Sequence, residues 1–313
     1  MNNTISVYFV IPCYNEQDCL KETTKRLEAK IAELIKAKKI NSSSKIVYID
    51  DGSKDKTWNI IESLDNRVIG IKLSKNQGHQ NALLAGLMYS KDHCDVAISM
   101  DADLQDDIDA IDKFIDKYNA GAEIVYGVRS ERKKDSFFKR TTALAFYKLM
   151  NKFGANTIYN HADYRLMSKR ALEELANFKE VNLFLRGIVP LIGLKTDIVK
   201  YKRAERFAGE SKYPLKKMVN FALDGITSFS VKPIRLIFFL GLLTSIISFI
   251  ILIYAIIVKL IGQAVSGWTF TICSIWLLGG IQMIALGIIG EYIGKIYSEV
   301  KGRPRYIIEK IKE

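Results

Sequence analysis

Hydrophobic positions in the first 130 residues follow two alternating periods. Short runs rich in β-branched and aromatic residues at 7–11, 45–49, 68–73, 95–100 and 124–126 predict strands. Between them, residues 16–38, 56–64, 79–89 and 108–118 carry apolar residues at helical spacing. Strands and helices alternating at this interval predict an α/β unit, a mostly parallel sheet with helices on both faces. Beyond residue 126 the pattern blurs, with helices expected at 137–153, 168–178 and 183–191.

The last eighty residues follow a different pattern. Residues 236–258 are uncharged over 23 positions, about 35 Å of helix against a hydrocarbon core of about 30 Å. A second uncharged stretch covers 260–290, with Trp268 and Trp276 near its start and Tyr292 just beyond its end, which predicts a span at 269–289. Basic residues concentrate after Gly294 (Lys295, Lys301, Arg303, Arg305, Lys310 and Lys312), whereas the link between the spans holds only Lys259. The positive-inside rule therefore puts both termini in the cytoplasm. Leu215, Met218, Val219, Ala222, Leu223 and Ile226 form an apolar stripe behind Lys212, Lys216 and Lys217, as in a helix lying on a membrane surface. The start of the chain lacks the basic and apolar regions of a cleavable signal. Four parts are expected: a catalytic domain at 1–210, an amphipathic segment at 211–233, two transmembrane helices at 234–294 and a basic tail at 295–313.

Lys and Arg exceed Asp and Glu by 46 to 34, a net charge of +12. The excess gathers beside the spans and no recognition module accompanies it, so anionic lipid headgroups account for it and nucleic acid does not. Cys13, Cys19, Cys94 and Cys273 form no CxxC pair and read as reduced, structural thiols.

In parallel α/β sheets ligands bind beyond the carboxyl ends of the strands. Glu16, the Asp50–Asp51 pair, and Asp101 with Asp103 fall at such ends. Acids so gathered repel unless something positive lies among them, and a divalent cation is the simplest candidate. Asp101 and Asp103, two residues apart, can turn both carboxylates to one side and hold Mg²⁺ or Mn²⁺ while leaving positions for phosphate oxygens. There is no GxGxxG or GxxxxGK[ST] cradle, and no hydroxyl residue shortly after Asp103 as the phosphatase variant of the motif would require.

The motifs Val10-Ile11-Pro12-Cys13-Tyr14-Asn15-Glu16, Asp50-Asp51-Gly52-Ser53, Asn76-Gln77-Gly78-His79 and Met100-Asp101-Ala102-Asp103-Leu104-Gln105-Asp106 occur in this order. Together they resemble the family 2 glycosyltransferases of the GT-A fold. Ala162-Asp163-Tyr164-Arg165-Leu166, Arg206-Phe207-Ala208-Gly209-Glu210-Ser211-Lys212-Tyr213, two spans and a basic tail extend the resemblance to the polyprenyl-phosphate glycosyltransferases, a group that includes bactoprenol glucosyltransferases and dolichol-phosphate mannose synthases. The resemblance implies a UDP-sugar donor held by Pro12, Tyr14, Asn15, Glu16, Asp51, Asp101 and Gln105, and Mg²⁺ or Mn²⁺ on Asp101 and Asp103. It further implies that Asp163, with Asp103, is catalytic. The acceptor, undecaprenyl phosphate, would be gripped by Arg129, Arg206, Ser211 and Lys212. A homo-oligomer such as a tetramer, a flippase and a downstream glycosyltransferase are the implied partners, and the inner membrane the location.

A lipid phosphate monoester has a second pKa near 6, so its attacking oxygen is already largely anionic and needs little help from a base. Asp163 can then orient substrate instead of removing a proton, and in-line attack would invert the anomeric carbon. His79 and His161 read as structural. Glucose is the favoured sugar, with N-acetylglucosamine and an aminopentose as alternatives. A processive polysaccharide synthase would carry a Gln-x-x-Arg-Trp motif and more spans, and a silent scaffold would not need Asp101, Asp103 and Asp163. Paired carboxylates could also serve a glycosidase, but that chemistry requires neither an anchor nor a metal pair.

Overall fold

The computed structural model describes residues 4–130, 161–181, 183–202, 232–261 and 267–313. The expected helices at 137–153 and 212–226, and with them Arg206, Ser211 and Lys212, lie outside the described residues. Two compact units result, one built on a sheet and one helical.

The sheet unit contains β1 (Val7–Cys13), α1 (Leu20–Lys36), β2 (Lys45–Asp50), α2 (Thr57–Ser63), β3 (Val68–Leu73), α3 (His79–Lys91), β4 (Val96–Ser99), α4 (Ala110–Asn119) and β5 (Ile124–Arg129). There follow β6 (His161–Ser168), α5 (Lys169–Ala176), α6 (Leu185–Leu191), β7 (Thr196–Tyr201) and, at the end of the chain, β8 (Ile308–Lys312). The strand order is β7-β5-β6-β4-β1-β2-β3-β8. β1 pairs in parallel with β2 and β4, β2 with β3 and β5 with β7; β6 runs antiparallel to β4 and β5, and β8 antiparallel to β3.

Each of the first five strands follows the apolar runs, and β1 is buried along its whole length, as a strand covered on both faces must be. On one face Phe9, Ile11, Ile46 and Tyr48 form a core with Leu20, Leu27, Ile31 and Leu34 of α1, Trp58 and Ile61 of α2 and Phe114 of α4. α3 covers the other face, so closely that a methyl group at Gly86 would run into Val10 and Ile49.

α1 starts at Leu20, four residues later than its apolar pattern suggests. Asn15 adopts a left-handed φ of 54°, and the backbone N–H groups of Asn15 and Glu16 donate to the Ser53 and Thr57 hydroxyls at 3.0 and 2.9 Å, holding this stretch as a loop. β6, β7 and β8 have no counterpart among the expected strands. β6 buries Asp163 and Arg165, whose polarity hides the strand pattern, whereas β7 and β8 are largely exposed edges. The last residues, expected as a basic tail, instead extend the sheet: Lys310 and Glu309 pair with Glu62 and Lys72, and the Lys312 ammonium donates to the carbonyls of Leu64, Asp65 and Val68.

The helical unit contains α7 (Lys232–Leu260) and α8 (Trp268–Lys301). Both contain stretches long and apolar enough to cross a membrane, Ile234–Ile251 and Leu277–Lys301, and neither stretch is buried by protein. α8 continues beyond the expected span to Gly302, whose left-handed φ of 55° ends it in the way glycine commonly caps a helix.

Because α3 lies against β1 and β2 without room for a side chain at residue 86, Gly86→Ala should destabilise the sheet unit by about 1–3 kcal/mol, the usual cost of overpacking. A thermal midpoint lower by several degrees in detergent would register it, and an unchanged midpoint would mean that the contact relaxes freely.

Candidate active site

The start of α3 meets residues that follow β2 and β4 and one from β6. Asp51, just after β2 and almost fully buried, accepts the backbone N–H groups of Gln77 and Gly78 at 2.7 and 3.0 Å. Burial raises its carboxyl above the usual carboxylate value, and those two amides offset this only in part. Gly52 makes this possible: its φ is +66°, and a Cβ there would come within 2.6 Å of the Asn76 nitrogen. Asp50 is likewise buried and takes the Ser53 N–H at 3.1 Å. Backbone donors thus meet both oxygens of Asp51 and one oxygen of Asp50, while Asp50 Oδ2 is buried without a hydrogen-bond partner. Pro12 is buried beneath this loop, while Tyr14 is 43% exposed and Asn15 accepts the Lys54 N–H at 2.9 Å.

The next residue of α3, His79, stands between two carboxylates, its Nε2 at 3.8 Å from Asp101 and 3.7 Å from Asp163. Desolvation disfavours its charge, but Asp163 and Asp101 together raise its pKa. Gln80 then accepts the N–H of Leu185 at 2.7 Å, fixing the start of α6. From that start Arg186 donates Nε and Nη2 to the two Asp163 oxygens at 3.1 and 2.8 Å, and Arg165 adds Nη2 at 2.6 Å. Burial by itself would raise the Asp163 carboxyl; Arg186, with His79 and Arg165, overrides it and holds the group well below the usual carboxylate range. A carboxylate so acidic and so fully occupied cannot accept a proton near neutrality, but it can aim a guanidinium and an imidazole.

The third acid group is different. After β4, Leu104 turns the chain with φ 58°, Asp103 accepts the Gln105 N–H at 3.2 Å, and Asp106 folds back so that its Oδ2 takes the Asp101 N–H at 3.3 Å. Burial and the neighbouring Asp101 push the Asp106 carboxyl up to about 6. Among the described residues no three His, Cys, Asp or Glu side chains gather to hold a metal ion. Asp101 lies near Asp106, and the buried Asp103 two residues on takes the Gln105 N–H; these are the two carboxylates that would hold Mg²⁺ or Mn²⁺, with the remaining positions left to phosphate oxygens and water. Arg129, at the end of β5, reaches the Tyr201 hydroxyl at 3.5 Å.

The model of glycosyl transferase family 2 matches residues 8–176, more than half of the chain. The chain belongs to that family. Within it, the Bacillus subtilis uncharacterized glycosyltransferase YkoT is 57% identical over 96% of this chain and 90% of its own length. The Escherichia coli prophage bactoprenol glucosyl transferase homolog is 42% identical over 99% of this chain and 100% of its own. The Shigella flexneri SfII prophage-derived bactoprenol glucosyl transferase is 42% identical over 98% of both. The alternating sheet unit is therefore a GT-A catalytic fold, and the expected glycosyltransferase family is borne out.

In this family 2 chain the sequence pointed to Asp51, Asp101, Asp103 and Asp163, and the fold brings the second and fourth together through His79. Sequence reasoning set His79 aside as structural and did not single out Arg186. The only signal for Arg186 was a lone basic residue at the start of an apolar helix, since its partner Asp163 is 23 residues away. Asp163→Asn leaves the fully buried Arg165 short of its counter-charge and should cost about 3–5 kcal/mol at pH 7. Because the carboxyl is lowered in the folded state, its contribution is complete above about pH 4 and is lost as pH falls through the lowered value. The stability gap between wild type and variant, measured by thermal denaturation, should therefore narrow on acidification.

Proposed function

We propose that this enzyme transfers a sugar, glucose favoured, from a UDP-sugar to undecaprenyl phosphate at the cytoplasmic face of the inner membrane, with inversion at the anomeric carbon. The observation that carries this reading is a family 2 catalytic unit in one chain with two unburied helices of membrane-spanning length. An acceptor confined to the bilayer gives such an anchor its purpose. The names of the Escherichia coli and Shigella relatives, which match along nearly the whole chain, support it.

In this reading Pro12, Tyr14, Asn15, Glu16, Asp51 and Gln105 form the nucleotide side, and Asp101 and Asp103 would hold Mg²⁺ or Mn²⁺. When bound, the cation neutralises charge on the departing diphosphate. Arg129, with Arg206, Ser211 and Lys212 from the membrane-proximal segment, attracts the lipid phosphate. An oxygen of that phosphate forms the new bond to the anomeric carbon as the bond to the diphosphate breaks, the electron pair leaving with UDP. The nucleophile is already anionic, so no proton needs to be removed. Asp163 is a positioning residue that aims Arg186 and His79. Residues 1–210, with the returning strand β8, then form the cytoplasmic catalytic domain, with both termini on the same side and 211–233 along the membrane surface. A homo-oligomer, a flippase and a downstream glycosyltransferase complete the setting.

The test is to incubate the purified full chain with undecaprenyl phosphate, Mg²⁺ or Mn²⁺ and a panel of UDP-sugars, reading UDP release and the mass of the lipid product. One donor should give a lipid-phosphate sugar, and Asp103→Asn should abolish its formation while leaving expression and membrane insertion unchanged. UDP release without a lipid product would sink the acceptor assignment, and undiminished turnover in Asp103→Asn would sink the role of that residue.

A further inference from the structure

The loop from Asp101 to Asp107 is held at three points by hydroxyl groups from distant elements. Thr23 of α1 donates to the Ala102 carbonyl at 2.8 Å, and Tyr164 of β6 donates to the Asp107 carbonyl at 2.9 Å. Tyr201 of β7 donates at 2.7 Å to Oδ1 of Asp106, whose other oxygen takes the Asp101 N–H. Thr23 and Tyr164 fix backbone carbonyls, but Tyr201 acts on the side chain that reaches back to Asp101. Asp106 is 3% exposed and lies beside Asp101 in a negatively charged pocket, so its orientation depends on its donors. Tyr201 itself is buried, edge-on to the Tyr164 ring at 5.2 Å, which leaves its hydroxyl little freedom to choose another acceptor.

We infer that Tyr201 is a positioning residue for cation binding: through Asp106, which takes the backbone N–H of Asp101, it anchors the main chain that carries Asp101, one of the two carboxylates offered to the metal. The inference rests on the reading of Asp101 and Asp103 as cation ligands. It gives edge strand β7, which contributes no side chain to the strand-end cluster, a part in assembling the site. Tyr201→Phe removes one hydroxyl and keeps the ring, while Tyr164→Phe removes the neighbouring hydroxyl without touching Asp106.

The experiment measures free Mn²⁺ by electron paramagnetic resonance as it is titrated into the detergent-solubilised full chain with UDP present, beside a thermal midpoint for each protein. Tyr201→Phe should bind Mn²⁺ about tenfold more weakly, as loss of a hydrogen bond to a charged group implies. Tyr164→Phe should bind as wild type does even where the two midpoints fall alike. Wild-type affinity in Tyr201→Phe overturns the inference, and so does equal weakening in both variants, which would mean that the tyrosines merely stiffen the loop. Asp103→Asn separates the two levels. If it loses Mn²⁺ while Tyr201→Phe does not, the inference alone fails; if it binds Mn²⁺ as the wild type does, or the wild type shows no specific Mn²⁺ binding, the cation reading fails with it.

Discussion

The close approach of α3 to the sheet is the contact on which the site depends. With no side chain at Gly86, the helix settles against Val10 and Ile49, and its first residues reach the carboxyl ends of the strands. From there Gln77 and Gly78 supply amides to Asp51, His79 enters between Asp101 and Asp163, and Gln80 secures the start of α6, from which Arg186 extends. One helix terminus thereby ties together the loop after β2, the aspartate pair and the arginine-bound carboxylate. A shift of α3 by a fraction of an ångström would disturb all three, because hydrogen bonds weaken steeply with misalignment.

Electrostatics divides the acids of this site into groups with different solutions. Asp50 and Asp51 are met by backbone amides, and Asp163 by two guanidinium groups and an imidazole. Around Asp101 and Asp106 two carboxylates stand near each other, and burial together with Asp101 pushes the Asp106 carboxyl up to about 6. A cation and the diphosphate it accompanies would enter where the protein has left charge to be balanced. The same logic separates Asp163 from proton transfer: a carboxylate stabilised by so many donors is a weak base, and the proposed phosphate nucleophile has no need of one.

Much of this was legible in the sequence, for reasons that vary by element. β1 to β5 are short buried runs between helical patterns, so burial on two faces left a local trace. β6 left none because its buried positions include Asp163 and Arg165, polar residues that neutralise each other inside the sheet. β8 reads as a charged tail because Lys310 and Lys312 find their partners, Glu62 and the carbonyls of 64, 65 and 68, some 250 positions back along the chain.

Local periodicity and short motifs suffice for the α/β class, the two helices of membrane-spanning length, the family and the aspartates at the strand ends. How the charges are shared comes instead from the folded packing. It made His79 a bridge and Arg186 the clamp on Asp163, and it placed the Tyr201 hydroxyl, 95 positions away, on Asp106. The physical reason is range: hydrophobic period and motif spacing act over a few residues, whereas ion pairs and buried hydrogen bonds join whichever side chains the packed sheet and α3 bring within about 3 Å.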